Sequence, residues 1–477
     1  MPTSAMLAPF RVARYLAMIA ALGALWLLLS ACVGPQETPL PDGVNDPRED
    51  LVERIKEKPE DLDAHADLLR LQIKSGDVIG ADATVAHALK YSPKDFRAHL
   101  LAAQFHRWQL DLINAEKALI TARDMAPDRL EPRVALAGLY NQAYLETNEL
   151  EQRRKAVELA DDRLRPEFAL DLAYSLAALL QTPEAAKLAA ELIADKATPS
   201  GLRARAHLLL AEIGLRTEDE AAAVSNLKAA FVLDKEDTGT LQFAARAVTL
   251  LKKPAELGSL FDETLAGKDR AELRWTALFG EWMLAIEVAA ESKADPLGEP
   301  VEAWRKRLEA MEPGHPDVAG RYYQLIKLQP GREEEAKKLA KELDEGGSGA
   351  PPAPSNLDAV LSLWRAEDAL RLGAPAVTLS EATQLGVREG NLEGLRMLRV
   401  MAMFKLREDV GCLQIIDSWL AEGDKPDDLL LSLRWWVMLR SGKSVDVLRD
   451  MEQRGGSKNN SRAWIEAVAK FQTYRKG

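Results

Sequence analysis

Two cysteines, six histidines and a Gly442-Lys443-Ser444 triplet are the side chains of this sequence whose spacing first suggests chemistry. A phosphate-cradling loop needs a glycine five residues before the second one, and a strand leading into it. Position 437 is Val437 and the preceding pattern is helical, so Gly442 is expected to make a helix turn. His65 and His99 occupy equivalent positions in adjacent repeats, and His106 lies two helical turns beyond His99. A shared metal would need them to converge with a third ligand. Equivalent positions in stacked helix pairs are too far apart for that, so repeat packing is the expected role and no metal is expected. No His-Glu-x-x-His, Gly-x-Ser-x-Gly or Cys-x-x-Cys occurs, so neither a catalytic set nor a cofactor site is expected. Cys412 falls where a helix pair wants a small buried side chain, which implies an inert thiol.

Cys32 has a different setting. Arg11 and Arg14 precede an uncharged run from Leu16 to Ala31, shorter than the roughly 20 residues of a bilayer-spanning helix. The run closes on Leu29-Ser30-Ala31-Cys32, which resembles a bacterial lipobox. The resemblance implies that residues 1–31 are a lipoprotein signal peptide removed on maturation. The thiol of Cys32 would take a diacylglycerol and further palmitate-type chains, whose methylenes together hold a protein firmly on a membrane. Val33 stands where an inner-membrane retention signal would have Asp, so the resemblance implies the outer membrane, with the chain facing the periplasm. Residues 32–48 carry Pro35, Pro39, Pro41 and Pro47 and read as an extended tether.

The 477 residues exceed one core and correspond to about three average domains. Hydrophobic residues at 47% and charged residues at 29% are those of globular material, and the abundance of Ala, Leu, Glu, Lys and Arg favours helix over sheet. A formal charge of -12 argues against a general nucleic-acid binder. Two cysteines exclude a disulfide framework.

The elements that must carry any site are set by a repeat. Pro59, Pro93 and Pro127 are evenly spaced, and each interval holds two amphipathic helical patterns. The first interval places Leu68, Gly76, Ala81, Ala88 and Pro93, the second Ala102, Ala103, Ala115, Leu119, Ala122 and Pro127. This helix-turn-helix period, about 34 residues long, resembles the tetratricopeptide repeat (TPR). Small residues let paired helices approach, as at Ala103 and Ala115. Glycine permits the tight turn, and proline stops the second helix. On this phase Ala115→Phe should overpack a seam at about 1–3 kcal/mol. Glu116, next to it, reads as a solvent position where the same change is nearly silent.

The expected fold is all-α, a TPR-like solenoid of about a dozen helix pairs. Residues 49–343 form one array, 344–356 (DEGGSGAPPAPSN) a Gly/Ser/Pro linker, and 357–477 a second array. A phase shift near Leu202 implies an insertion after Arg129. The stripe Trp275, Phe279, Trp282 and Ile286 reads as core. Ala366 with Gly373, and Trp435 with Gly442, mark later repeats, and 459–475 reads as an amphipathic cap on an open stack.

In the tetratricopeptide family ligands commonly lie along the first helices. That face carries Arg70 and Lys74 in the first unit and Arg97, Gln104, Arg107 and Trp108 in the second, a basic stripe with an aromatic neighbour. It suits an acidic segment or a C-terminal carboxylate. The family's carboxylate clamp is absent, because the first unit offers Ala66 and Arg70. The resemblance implies a lipid-anchored, periplasm-facing scaffold or adaptor for envelope proteins or peptides, attached to the membrane and free of nucleic acid. Such lipoproteins serve outer-membrane protein assembly, pilus biogenesis, control of cell-wall enzymes or exopolysaccharide export. The alternatives are a polysaccharide- or peptidoglycan-binding lipoprotein, which would show exposed Trp in a groove, and an enzyme with its site in the poorly repetitive 240–330 stretch. The Trp435–Trp436 region is the alternative binding surface.

Overall fold

The computed structural model describes residues 47–252, 254–267, 270–390, 392, 394–422, 428–454 and 460–476. Cys32 and the whole of residues 1–46 lie outside them. Among the described residues there are 24 α-helices and two short 3-10 turns, with no strand, which is the all-α hairpin fold expected.

Five hairpins follow one another along the chain. They are α1 (Pro47–Glu57) followed by α2 (Leu62–Ser75) with α3 (Val78–Tyr91), α4 (Phe96–Trp108) with α5 (Leu112–Met125), α6 (Leu130–Gln142) with α7 (Glu146–Leu159), α8 (Arg165–Ala178) with α9 (Thr182–Ala194), and α10 (Ser200–Arg216) with α11 (Glu220–Leu233). The first helices of the pairs begin at 62, 96, 130, 165 and 200, so no insertion interrupts the run. The phase shift near Leu202 arises because α10 is 17 residues long where α2 has 14, which displaces the following helix.

One turn recurs in all five. Gly76, Leu110, Tyr144, Leu180 and Glu218 each take the left-handed conformation. The next residue then donates its N–H back across the turn: Asp77 to Gln72 O, Asp111 to His106 O, Leu145 to Tyr140 O, Gln181 to Leu176 O and Asp219 to Gly214 O, at 2.8–2.9 Å. This satisfies carbonyls that the ending helix leaves orphaned. Only the first turn uses glycine. The other four hold an ordinary side chain there at a cost of about 1 kcal/mol or more each, which the hairpin packing must offset. Asp77, Asp111 and Asp219 also cap the second helices through their carboxylates.

Two compact units divide the chain. The first comprises the described residues up to 172 together with 416–476, the second residues 173–415. In the first, Ala81, Ala88, Ala98, Ala102, Ala103, Ala115 and Ala122 are all buried, as the repeat requires. The C-terminal helices α22 (Asp428–Arg440), α23 (Ser444–Arg454) and α24 (Asn460–Lys476) belong to the same unit. Helix α24 is therefore not a cap on an open stack. It docks on α5 and on the α6–α7 turn. Gln472 Nε2 donates to Ala143 O at 2.8 Å, and Arg475 pairs with Glu116 and lies over the Tyr140 ring. Glu116 is 4% exposed and accepts from Tyr140 Oη at 2.9 Å, so it is a buried anchor and not a solvent position. Burial, followed by the bond to Glu116, pushes the Tyr140 hydroxyl up to about 12.

The second unit continues with α12 (Thr238–Ala247), α13 (Gly258–Ala266), the long α14 (Ala271–Glu291), α15 (Val301–Met311), α16 (Pro316–Ile326), α17 (Glu333–Glu345), α18 (Leu357–Arg371), α19 (Pro375–Glu389) and α20 (Leu395–Leu406). Helix α21 (Asp409–Glu422) spans the boundary at residue 415. Phe279, Trp282 and Ile286 of α14 are buried, and Trp275 stacks on Phe279 at 5.4 Å, as a core stripe should. Gly280 lets α13 approach, since a Cβ there would meet the Phe261 ring at 2.5 Å. The segment 344–356 lies inside this unit. Gln324 Nε2 donates to Pro352 O, Gln324 Oε1 accepts from Trp364 Nε1, and one apolar core contains residues from Ala211 to Ala374. The contact boundary instead falls near residues 172 and 415.

Candidate partner-binding site

Helices α2 and α4 present equivalent faces because each repeat step returns a position to the same side of its hairpin. Ala66, Ile73 and Trp108 are half-buried against the core of α2–α4, and Leu100 is half-buried beside them. Lys74 and Gln104 are exposed. The result is an apolar strip edged by polar side chains.

The basic residues are not free along it. Arg70 pairs with Asp67 at 2.8 Å. Arg97 holds Asp95 through both Nε and Nη2 and reaches Asp63 at 3.8 Å, and these bonds raise its already high pKa. Arg107 is half-buried and donates to Gln142 Oε1 of the next hairpin at 3.0 Å, and burial lowers its pKa. Arg107 thus bridges repeats, and charge reversal there would disturb packing as well as binding. A carboxylate approaching Arg70 or Arg97 must exchange with aspartates already in place. Of the four cations, Lys74 is exposed and makes no ion pair with a described residue.

The histidines serve the hairpins. His65 is fully buried; Nδ1 bonds Asp61 O at 2.7 Å and Nε2 bonds His87 Nδ1 at 3.0 Å, one ring donating and the other accepting. His87 stacks on His65 and lies 4.4 Å from the Tyr91 ring; burial, then the charges of His65 and Lys90, lowers its pKa. His99 Nε2 reaches Pro93 O at 3.3 Å, and His106 faces Asp111. Cys412 is buried, with Sγ 3.6 Å from Val400 O. Gly442 takes a left-handed φ of 73° between α22 and α23, the helix turn expected, and Ser444 opens the next helix. Trp435 and Trp436 are 2% and 5% exposed, with Trp435 Nε1 bonded to Asp450 and Trp436 against Tyr144. They are core, and none of the nine tryptophans among the described residues is exposed.

The sequence reading missed a buried ionic cluster in the poorly repetitive stretch. Arg321 Nη2 donates to both oxygens of Asp368 at 2.9 and 2.8 Å; Arg246 donates to Asp317 at 2.7 Å and to Asp368 at 3.3 Å; Thr249 Oγ1 donates to Asp368 at 3.1 Å. Burial opposes ionisation of Asp317, but Arg246, Arg371 and Arg321 overrule it and hold the carboxyl well below the usual range. The signal was readable. Arg321 occupies an apolar-face position between Val318 and Leu325, and Asp368 continues the stripe Leu361, Trp364. The bonds tie α12, α16 and α18 together, a structural role.

Glu287 on α14 stands near this cluster with one carboxylate oxygen buried and without a hydrogen-bond partner. Burial pushes it from 4.5 to about 7 against the pull of Arg365. Its protonated form is the one the fold prefers. The stability that Glu287 contributes is therefore full below pH 4.5 and is lost as pH rises through 7. Glu287→Gln should remove a fall on the order of 2 kcal/mol from urea titrations between pH 5 and 7.5. An unchanged pH slope would mean that Glu287 ionises freely in the fold.

No family model matches the chain, and no curated protein matches it. Solved structures resemble it, three of them as follows. One is a chain of the Naa15/Naa10 assembly bound to HypK-THB, 14% identical, covering 90% of this chain and 70% of that one, with a TM-score of 0.32. The second is a tetratricopeptide repeat protein from Parabacteroides merdae, 12% identical, covering 65% of this chain and 98% of that one, also at 0.32. The third is the P58(IPK) TPR domain, 14% identical over 87% and 99% of the two chains, at 0.21.

Proposed function

We propose that this chain is a protein-interaction scaffold of the bacterial envelope, acylated at Cys32, held at the outer membrane and facing the periplasm. The observation that carries the scaffold reading is the duplicated face of α2 and α4, where Ala66, Ile73, Leu100 and Trp108 form a half-exposed apolar strip edged by Lys74 and Gln104. Partly buried apolar side chains beside open polar ones suit an extended or helical peptide laid across first helices. The ion pairs of Arg70 and Arg97 add selectivity, because only a ligand carrying its own carboxylates can displace Asp67 and Asp95 without leaving a guanidinium unpaired. The membrane reading rests on the Leu29-Ser30-Ala31-Cys32 sequence and the proline-rich stretch behind it.

Cys32→Ala should leave an unprocessed precursor that takes up no clickable fatty acid. Label retained by that variant would contradict the anchor. Affinity capture from crosslinked envelope fractions tests the scaffold. The partner recovered with the parent chain should be lost with Trp108→Ala combined with Lys74→Glu, and depleted with Cys32→Ala. Recovery unaffected by the α2 and α4 changes would place binding elsewhere.

A further inference from the structure

We propose that the trough between α9, α10 and α11 is a second docking site, for a peptide segment of a partner protein that carries a carboxylate beside aliphatic side chains. The trough has a volume of about 400 Å³ and is lined by Ile193, Arg203, His207, Lys228, Ala229, Val232 and Leu233. Its composition is one-sided: an aliphatic floor, three nitrogen-bearing side chains and no acidic residue. Val232 is 70% exposed although its neighbours Ala230 and Phe231 are buried, so an aliphatic side chain stands open where the helix has already met its packing needs.

The cations are the second observation. Arg216, further along α10, is paired with Glu212, whereas Arg203 and Lys228 make no ion pair with a described residue, and Arg203 Nε is buried without an acceptor. Arg203 lines the trough without a counter-charge among the described residues, and a carboxylate brought to its guanidinium would supply one. His207 offers the lone pair of its ring Nε2 to a backbone N–H of the peptide and not to its carboxylate. Asn226 Nδ2 donates to Ala222 O at 2.8 Å, which turns Asn226 Oδ1 toward His207 Nδ1 at 2.8 Å and leaves Nε2 for a ligand. The trough is open along one side, and a single acyl tail would keep much of its length in water there. A peptide offering two or three aliphatic side chains buries more area against this floor. The site lies on helices other than α2 and α4 and stands or falls apart from the face described above.

The test is fluorescence anisotropy on the full chain with a labelled heptapeptide, Ser-Leu-Glu-Leu-Leu-Glu-Ser, and its twin carrying glutamine for both glutamates. Saturable binding is expected, weakened about tenfold by Lys228→Glu, by Val232→Asp and by the glutamine exchange. Both substitutions are at accessible positions, and unchanged melting curves establish that the variants are folded. Affinity indifferent to both substitutions, equal binding of the glutamine twin, or no binding at all would overturn the proposal. Binding of dodecanoate through Lys228 without binding of the heptapeptide would assign the trough to a free acyl anion and overturn it equally.

Discussion

Asp368→Ala is expected to destabilise the second unit by about 3–5 kcal/mol in urea or thermal unfolding. Asp368 is 1% exposed and is the acceptor for Arg321, Arg246 and Thr249. Arg246 retains Asp317 when Asp368 is lost. Arg321 retains only Met283 Sδ at 3.5 Å and the faces of Trp364 and Phe279. Held under those rings with no hydrogen-bonded carboxylate and only the longer-range attraction of Asp317, that guanidinium carries most of its desolvation cost uncompensated. Asp368→Asn keeps acceptor geometry without charge and should fall between parent and alanine. The double change Asp368→Leu with Arg321→Met removes both charges and should recover much of the loss, because a buried pair often does little better than apolar residues of similar size. A cost for Asp368→Ala below about 1 kcal/mol would mean that water reaches the cluster.

Deleting residues 460–477 is expected to unfold or loosen the N-terminal hairpins, although the two lie at opposite ends of the sequence. Ile465, Val468, Ala469 and Phe471 of α24 are all fully buried, and Arg475 supplies the counter-charge for Glu116 on α5. Phe471→Ala alone should cost about 3–5 kcal/mol. Glu116→Ala should cost about 1–3 kcal/mol by leaving the Tyr140 hydroxyl and the Arg475 guanidinium without their acceptor. Hydrogen exchange distinguishes docking from mere proximity. In the truncated chain the amides of α5 and α6 should lose protection together, whereas those of α10 and α11 should not change. Unaltered protection in α5 and α6 would show that the repeats stand without α24.

The first two hairpins were legible because their code is local. Alanine at Ala81, Ala88, Ala103 and Ala115 and proline just after each second helix report packing and termination within a single repeat. Later hairpins were harder to read, because Tyr144, Leu180 and Glu218 take the turn conformation without being glycine, and a longer α10 imitates an insertion. The α24 dock left no local mark. Glu116 looks like any surface acid until Arg475, from the far end of the chain, is placed beside it. The candidate face was legible as a set of positions, since period alone aligns α2 with α4. Its electrostatics were not. Whether Arg70 and Arg97 are open or held depends on Asp67, Asp95 and Asp63, and hence on side-chain geometry that spacing does not encode.

Recognition of a protein by the α2 and α4 face is tested most directly by site-specific photocrosslinking in living cells. A benzophenone amino acid is placed at Lys74 or at Gln104, and separately at Asp82 on α3, which is also exposed. Discrete protein adducts of the same mass are expected from positions 74 and 104, weakened by Trp108→Ala and absent from position 82. Adducts from position 82 alone, the same adducts from all three positions, or none from 74 and 104 would contradict a partner seated on the first helices.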